Sequence, residues 1–219
     1  RLTLQSQDLA TVSATWRFKR TPKELANTIM PAVFGRFMNE LGMIAQSRIQ
    51  KVLKAEGVPF ADVSFRYVDS VKSLKDEYFT VSVSVSPSEL ETAVSVLSSV
   101  MASLDSGCAQ ASEVRRADQI FLDEVRSAQK RMETNAEYID RCISAYLYNS
   151  PLVSRKDLMA FHNSRELQDA ARLKVFNSIV SAAIDCSQNL VLEYKTEGED
   201  TPEDIKAAFM SSWDPDKYA

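Results

Sequence analysis

The side chains able to do chemistry are few and widely spaced. The one histidine, His162, sits in the run Phe161-His162-Asn163-Ser164-Arg165-Glu166. A general base or metal ligand is its functional reading; a helix-surface contact with Glu166 at i,i+4 is its structural one. A zinc-peptidase motif needs two histidines and a carboxylate at helical spacing, so the structural reading prevails. Cys108, Cys142 and Cys186 are far apart, odd in number and lack any C-x-x-C spacing. They read as small half-buried hydrophobes, neither a zinc knuckle nor a redox pair. Asp118, Glu124, Glu133 and Glu137 are interleaved with Arg115, Arg116, Arg126, Lys130 and Arg131. Glu133 and Glu137 could form an acid–base pair for hydrolysis. Like charges one turn apart (Arg126 with Lys130, Glu133 with Glu137) and the favourable Glu137–Arg141 spacing read instead as a solvated or partner-facing helix. Tyr138, Tyr146, Tyr148 and Phe161 read as core and lid. No G-x-S-x-G elbow offers a hydrolase nucleophile.

Composition narrows the choice further. With Lys+Arg 26 against Asp+Glu 30, the net charge of −4 excludes nucleic acid or an anionic membrane as the main partner. Five glycines disfavour a Gly-rich phosphate loop. The apolar runs, such as Leu190-Val191-Leu192, are far shorter than the roughly 20 residues a bilayer span needs. A hydrophobic fraction of 45% and a charged fraction of 26% describe a globular chain. The chain opens with Arg1 and no charged-then-apolar leader, and it reads as a piece of a longer protein.

The elements that position these residues follow from periodicity. From Ala10 to Arg20, Val12, Ala14, Trp16 and Phe18 alternate with polar residues, the period of a half-buried strand. Thr21-Pro22-Lys23-Glu24 predicts a helix start with Thr21 as N-cap. Apolar spacing continues the helix to Leu53, with Pro31 and Gly42 expected to kink or split it and Gly57-Val58-Pro59 to end it. Strands are predicted over Ala61 to Asp69 and Tyr78 to Ser86, forming a long hairpin. Ser86-Pro87-Ser88-Glu89 opens a helix that Gly107 closes. A single helix is predicted from Ala111 to about Tyr148, since no Pro or Gly interrupts it. Helices over Leu152 to Phe161 and Arg165 to Ile184 follow, then a strand from Asn189 to Tyr194. Thr196 to Asp200 reads as a linker and Thr201-Pro202-Glu203-Asp204 as the start of a short helix. The order predicts an α+β fold, a mixed or antiparallel sheet with several helices packed on one face. Residues 1–195 form one domain; residues 196–219 form a linker and short helix toward a following domain.

The segments Ser47-Arg48-Ile49-Gln50-Lys51-Val52-Leu53 and Gly57-Val58-Pro59-Phe60-Ala61 come first in a recognisable series. Phe79-Thr80-Val81-Ser82-Val83, Leu90-Glu91-Thr92-Ala93, Gly107 and Glu113-Val114-Arg115-Arg116-Ala117 complete it. In order and spacing this series resembles the non-catalytic second domain of insulinase (M16) zinc peptidases, most closely the long four-domain bacterial members. Tyr146 to Pro151, Asn189 to Tyr194 and Thr201 to Ile205 are similar to the family's long-helix end, last strand and inter-half linker. The resemblance implies a structural, substrate-enclosing domain of a larger zinc metallopeptidase. Zinc is then expected in the parent protein, on an inverted His-x-x-Glu-His motif of a preceding domain. No catalytic, cofactor-binding or metal residue is assigned to this chain.

The implied partners are the other M16 domains of the same polypeptide and an unfolded peptide, with neither nucleic acid nor membrane. The bacterial long-form resemblance leans toward the periplasm. The Ala10–Lys19 strand is the expected sheet edge for peptide pairing. Two rival readings are an inactive M16-like assembly scaffold and a stand-alone acid–base enzyme using Glu133 and Glu137.

Overall fold

Alternation of small or apolar residues with hydroxyl residues produces the first strand, β1, over Ala10–Lys19. A computed structural model describes residues 9–19, 21–69, 76–130, 132–150, 152–164, 171–196 and 201–218. After β1 come a four-residue helix α1 (Lys23–Ala26), the long helix α2 (Met30–Ala55), and strands β2 (Asp62–Val68) and β3 (Asp76–Val85). A 3₁₀ turn at Pro87–Glu89 leads into α3 (Leu90–Asp105). Then follow α4 (Ala111–Gln129), α5 (Asn135–Tyr148), α6 (Arg155–His162), α7 (Arg172–Ala183), β4 (Leu190–Lys195) and α8 (Pro202–Ser211).

The four strands form one antiparallel sheet in the order β2-β3-β1-β4. Its apolar face carries Val12, Ala14, Trp16, Phe79, Val81 and Val83, all essentially inaccessible. Burying each of the larger of these side chains contributes about 1.5–3 kcal/mol. Helices α2 and α3 lie on that face and share one core with it; α4, α7 and α8 pack outside them. The α+β fold with helices on one sheet face is therefore as the sequence predicts. The second strand's partners are equally clear: Val63 opposes Val83, and Tyr67 opposes Phe79.

Several local expectations are corrected. Thr21 is not an N-cap: α1 starts after Pro22 with no side-chain cap. The Thr21 amide and hydroxyl instead donate to Glu77 Oε1, and the Tyr67 hydroxyl donates to Glu77 Oε2 at 2.8 Å. Pro31 lies in the first turn of α2, where its missing N–H costs nothing, so the break falls before it. The predicted helix from Ala111 to Tyr148 is two helices. The Thr134 hydroxyl accepts from the Glu137 amide at 3.3 Å while Glu137 Oε2 accepts from the Thr134 amide at 2.9 Å, a capping box that starts α5 afresh. Positions 165–170 of the predicted Arg165–Ile184 helix, and 197–200 of the predicted linker, lie outside the described residues. Helix α8 has the expected Thr201 cap. It packs on α3 with Phe209 fully buried, and Ser99 Oγ donates to the Ser212 carbonyl at 2.7 Å.

Gly42 does not break α2. It sits where the ring of Phe65, from β2, lies against the helix; a Cβ there would fall inside that ring. Overpacking of this kind costs about 1–3 kcal/mol, against a helix-propensity gain of about 1 kcal/mol. Gly42→Ala is accordingly expected to lower Tm by several degrees, with recovery when Phe65→Leu is added. A single mutant melting like the parent would contradict this close approach of helix and sheet.

Candidate functional site

The ionisable residues converge inside the helical layer, not in an open cleft. Arg36 on α2 is 1% exposed. Its Nε donates to Glu40 Oε1 at 3.0 Å, Nη1 to the His162 carbonyl at 2.8 Å, and Nη2 to Asp118 on α4. Arg172 of α7 closes the cluster, donating to Glu40 Oε1 and standing 2.9 Å from Asp118 Oδ1. Two cations and two carboxylates thus balance with little water around them. Burial pushes the Glu40 carboxyl above the ordinary carboxylate range, although Arg172 and Arg36 pull it down. The Arg36 guanidinium also lies over the Phe121 ring, 5.4 Å from its centroid. Asp118 is therefore part of a buried tie between helices, a correction to its reading as a solvated or partner-facing residue. Arg36, Glu40 and Arg172 went unmarked in the sequence. Their signal was an i,i+4 charge pair, Arg36 with Glu40, set among the apolar residues of the first half of α2.

His162 ends α6 beside this cluster. Its ring packs edge-on against Phe121 at 5.1 Å and tilted against Phe161 at 5.3 Å. Burial first, then the positive charge of Arg36, lowers its pKa to about 4. It is a neutral packing residue at physiological pH. Glu166, its expected helical neighbour, lies outside the described residues.

A second tie joins two of the sequence segments quoted above. Arg48 Nε and Nη2 hold both oxygens of Glu113, at 2.7 and 2.6 Å. The same guanidinium reaches Ser103 Oγ at 2.9 Å and the Cys108 carbonyl at 2.8 Å. Burial would raise the Glu113 carboxyl, but the hydrogen bonds from Arg48 and the Gln110 amide hold it below the usual range. Gly107, at φ +81°, makes the turn between Ser103 and Glu113. Thus α2, the end of α3 and the start of α4 are clamped by one bidentate pair.

The remaining carboxylates do not form an acid–base pair. Glu124 is exposed, Glu133 accepts from Arg141 at 2.8 Å, and Glu137 completes the α5 capping box. Arg141 also donates to the Val153 carbonyl at 2.5 Å. Tyr138 and Tyr146 are 54% and 88% exposed, so neither is core as expected. The three cysteines are free and half-buried.

The expected sheet edge is likewise corrected. β1 is hydrogen-bonded to β3 on one side and β4 on the other, so it has no free edge for a peptide. Its significance is the face it presents away from the helices. Three rows cross the sheet there: Asp62, Ser84, Thr11, Lys195; then Ser64, Ser82, Ser13, Glu193; then Arg66, Thr80, Thr15, Val191. Hydroxyls pair across the two central strands, Thr11 with Ser84 at 2.9 Å, Ser13 with Ser82 at 2.8 Å and Thr15 with Thr80 at 2.9 Å. Charges stand on the outer strands, where they protect the edges from uncontrolled pairing, and at one end of the central pair, where Arg17 of β1 donates to Asp76 of β3 at 2.6 Å. The result is a neutral, hydroxyl-lined wall with charged margins.

These residues do not fit a zinc site. Among the described residues no group of three or more His, Cys, Asp or Glu is placed to hold a metal ion, and His162 is packed between rings. No helix among them is long and apolar enough to cross a membrane.

The low His162 pKa has a measurable consequence. The unfolded chain takes up its proton near pH 6.5 and the folded chain near pH 4, so stability falls as pH drops between those values. His162→Phe keeps the ring contacts without a titrating group. The Tm of the parent sequence is expected to fall more steeply than that of His162→Phe between pH 7 and 4. Parallel curves would contradict the buried neutral histidine.

No protein-family model matches the chain, and no match is found among curated proteins. Solved structures do match. The periplasmic protease PqqL of Escherichia coli superposes with a TM-score of 0.73 at 14% identity, over 94% of this chain and 23% of that one. A protease of Yersinia pestis assigned to the insulinase family gives 0.68 at 13% identity, over 93% of this chain and 43% of that one. The inactive peptidase domain of a Bordetella parapertussis protein assigned as a zinc protease gives 0.59 at 14% identity, covering 85% of this chain and 92% of that domain. The chain thus spans about a quarter of the E. coli protein and nearly the whole of an inactive peptidase domain. By these superpositions over most of its length, the chain has the fold of an M16, insulinase-type peptidase domain.

Proposed function

We propose that this chain is a non-catalytic domain of a larger M16-type zinc metalloendopeptidase and that it encloses substrate without cutting it. The observation that carries the reading is the correspondence with an inactive peptidase domain across most of both chains. Zinc in such a protein supplies a metal-activated water; it belongs to a preceding domain of the parent in this reading. The periplasmic setting of PqqL makes the periplasm the compartment of choice.

The contribution of this chain is the wall. A serine or threonine hydroxyl donates one hydrogen bond and accepts two, so pairing across strands leaves capacity for a passing backbone. Small neutral side chains offer no deep apolar pocket and no fixed charge that would hold one sequence and release another slowly. An unfolded peptide can therefore exchange hydrogen bonds along Thr11, Ser13, Ser82 and Ser84 while other domains perform the chemistry.

The test uses the full-length parent. It is expected to hold zinc and cut unfolded peptides, and Ser13→Arg combined with Ser82→Arg should raise KM several-fold with zinc content unchanged. A parent with neither metal nor activity would overturn the reading in favour of an assembly scaffold. Unchanged KM in the double variant would remove the wall from the substrate path.

A further inference from the structure

Helix α5 is built inside out. One side carries the half-buried Glu137, Arg141, Ser144, Ala145 and Tyr148, while Cys142, also half-buried, lies among the residues of the other side. Its outward side carries Tyr138, Ile139, Ile143, Tyr146 and Leu147, exposed by 54, 56, 48, 88 and 57%. A surface helix of a free-standing domain has the opposite arrangement. Leu152 and Val153 extend the apolar strip, at 56% and 40% exposure, and Arg141 holds that segment in place through the Val153 carbonyl.

The helix does not depend on core contacts to form. Thr134 and Glu137 cap its start, and Asn149, at φ 56°, closes its end in the left-handed region. It is a preformed surface, so little ordering entropy opposes docking. Fully buried aromatic residues cover about 150–250 Å² each, and seven side chains near half exposure offer several hundred Å². That is comparable to the roughly 800 Å² per partner of a specific interface, and to the roughly 300–600 Å² of the largest patch on a typical monomer.

We infer that the outward face of α5, with Leu152 and Val153, is where a neighbouring domain of the same polypeptide docks. This rests on the multidomain reading above. The occupant's chemistry follows from the strip: an apolar surface with one lysine or arginine at its margin, opposite Asp140, the one charged residue among the exposed positions of α5. A neighbouring domain is the chosen occupant because the matching fold fills only 23% of the E. coli protease and 43% of the Yersinia protease. Proteins of that kind carry further chain that can cover such a strip, whereas an isolated domain would leave it in water.

Thiol labelling of the full-length parent tests this. With every native cysteine of the parent replaced by serine, Tyr146→Cys is compared with Lys206→Cys, an exposed position on α8. Tyr146→Cys is expected to react at least about tenfold more slowly under native conditions, as a covered site that opens only transiently does. The difference should survive dilution to concentrations where light scattering gives a monomer. Equal rates would overturn the inference. So would protection lost on dilution, the mark of a second copy, or protection seen only with added peptide. Hydrogen exchange over 135–148 in the unsubstituted parent gives the same answer if the variant does not fold: slow exchange supports docking and fast exchange contradicts it. An active zinc peptidase with an exposed α5 would sink this inference alone; a protected α5 in an inactive, metal-free parent would sink the functional reading alone.

Discussion

The helical layer depends on one buried guanidinium. Desolvating a charge such as Arg36 costs several kcal/mol, so it persists only where its donors are all answered. They are answered from two other helices, by Asp118 on α4 and the last carbonyl of α6, and from α2 itself by Glu40, which is in turn held by Arg172 of α7. Such clusters select geometry more than they add strength. An apolar set of equal volume is often as stable, whereas losing one partner of a buried pair costs about 3–5 kcal/mol. The Arg48–Glu113 clamp repeats the device near the other end of α2. Between them Gly42 admits Phe65, and the fixed helix carries the sheet with it. Orientation of the hydroxyl wall thus traces back to charges largely withdrawn from solvent.

The two faces of the sheet divide the work. One is apolar, covered by α2 and α3, and accounts for the core. The other is neutral and hydroxylated at its centre and charged at its margins. A catalytic domain would need ligands or nucleophiles aimed into a shared space. Here shifted ionisable groups such as Glu40 and His162 are spent on packing between helices. That allocation is compatible with the enclosing role proposed above.

Much of this was legible in the residues. The two-residue period of β1 and β3, the Ser86-Pro87 and Thr201-Pro202 starts, and the glycine stops at Gly57 and Gly107 all stand as read, because each is decided locally. Thr134-x-x-Glu137 was equally local, but a start signal without Pro or Gly is easily passed over within continuous helical spacing. The centrality of β1 is a tertiary fact; alternation looks the same at the middle and the edge of a sheet. Its trace in the sequence is the outward run Thr11, Ser13 and Thr15, uncharged until Arg17 at the strand's end, where β2 and β4 show Asp62, Arg66, Glu193 and Lys195. Tyr138 and Tyr146 read as core and lid for a similar reason. Spacing reports that a face is to be covered, and says nothing of whether the cover is intramolecular.

The most direct test is a crystal structure of the catalytically disabled full-length parent with an unfolded peptide trapped inside. The account predicts that the Thr11, Ser13, Ser82 and Ser84 face lines the cavity and lies against the peptide, with no side chain of this domain on the metal. A structure in which that face looks onto bulk solvent, with the peptide held elsewhere, would contradict it.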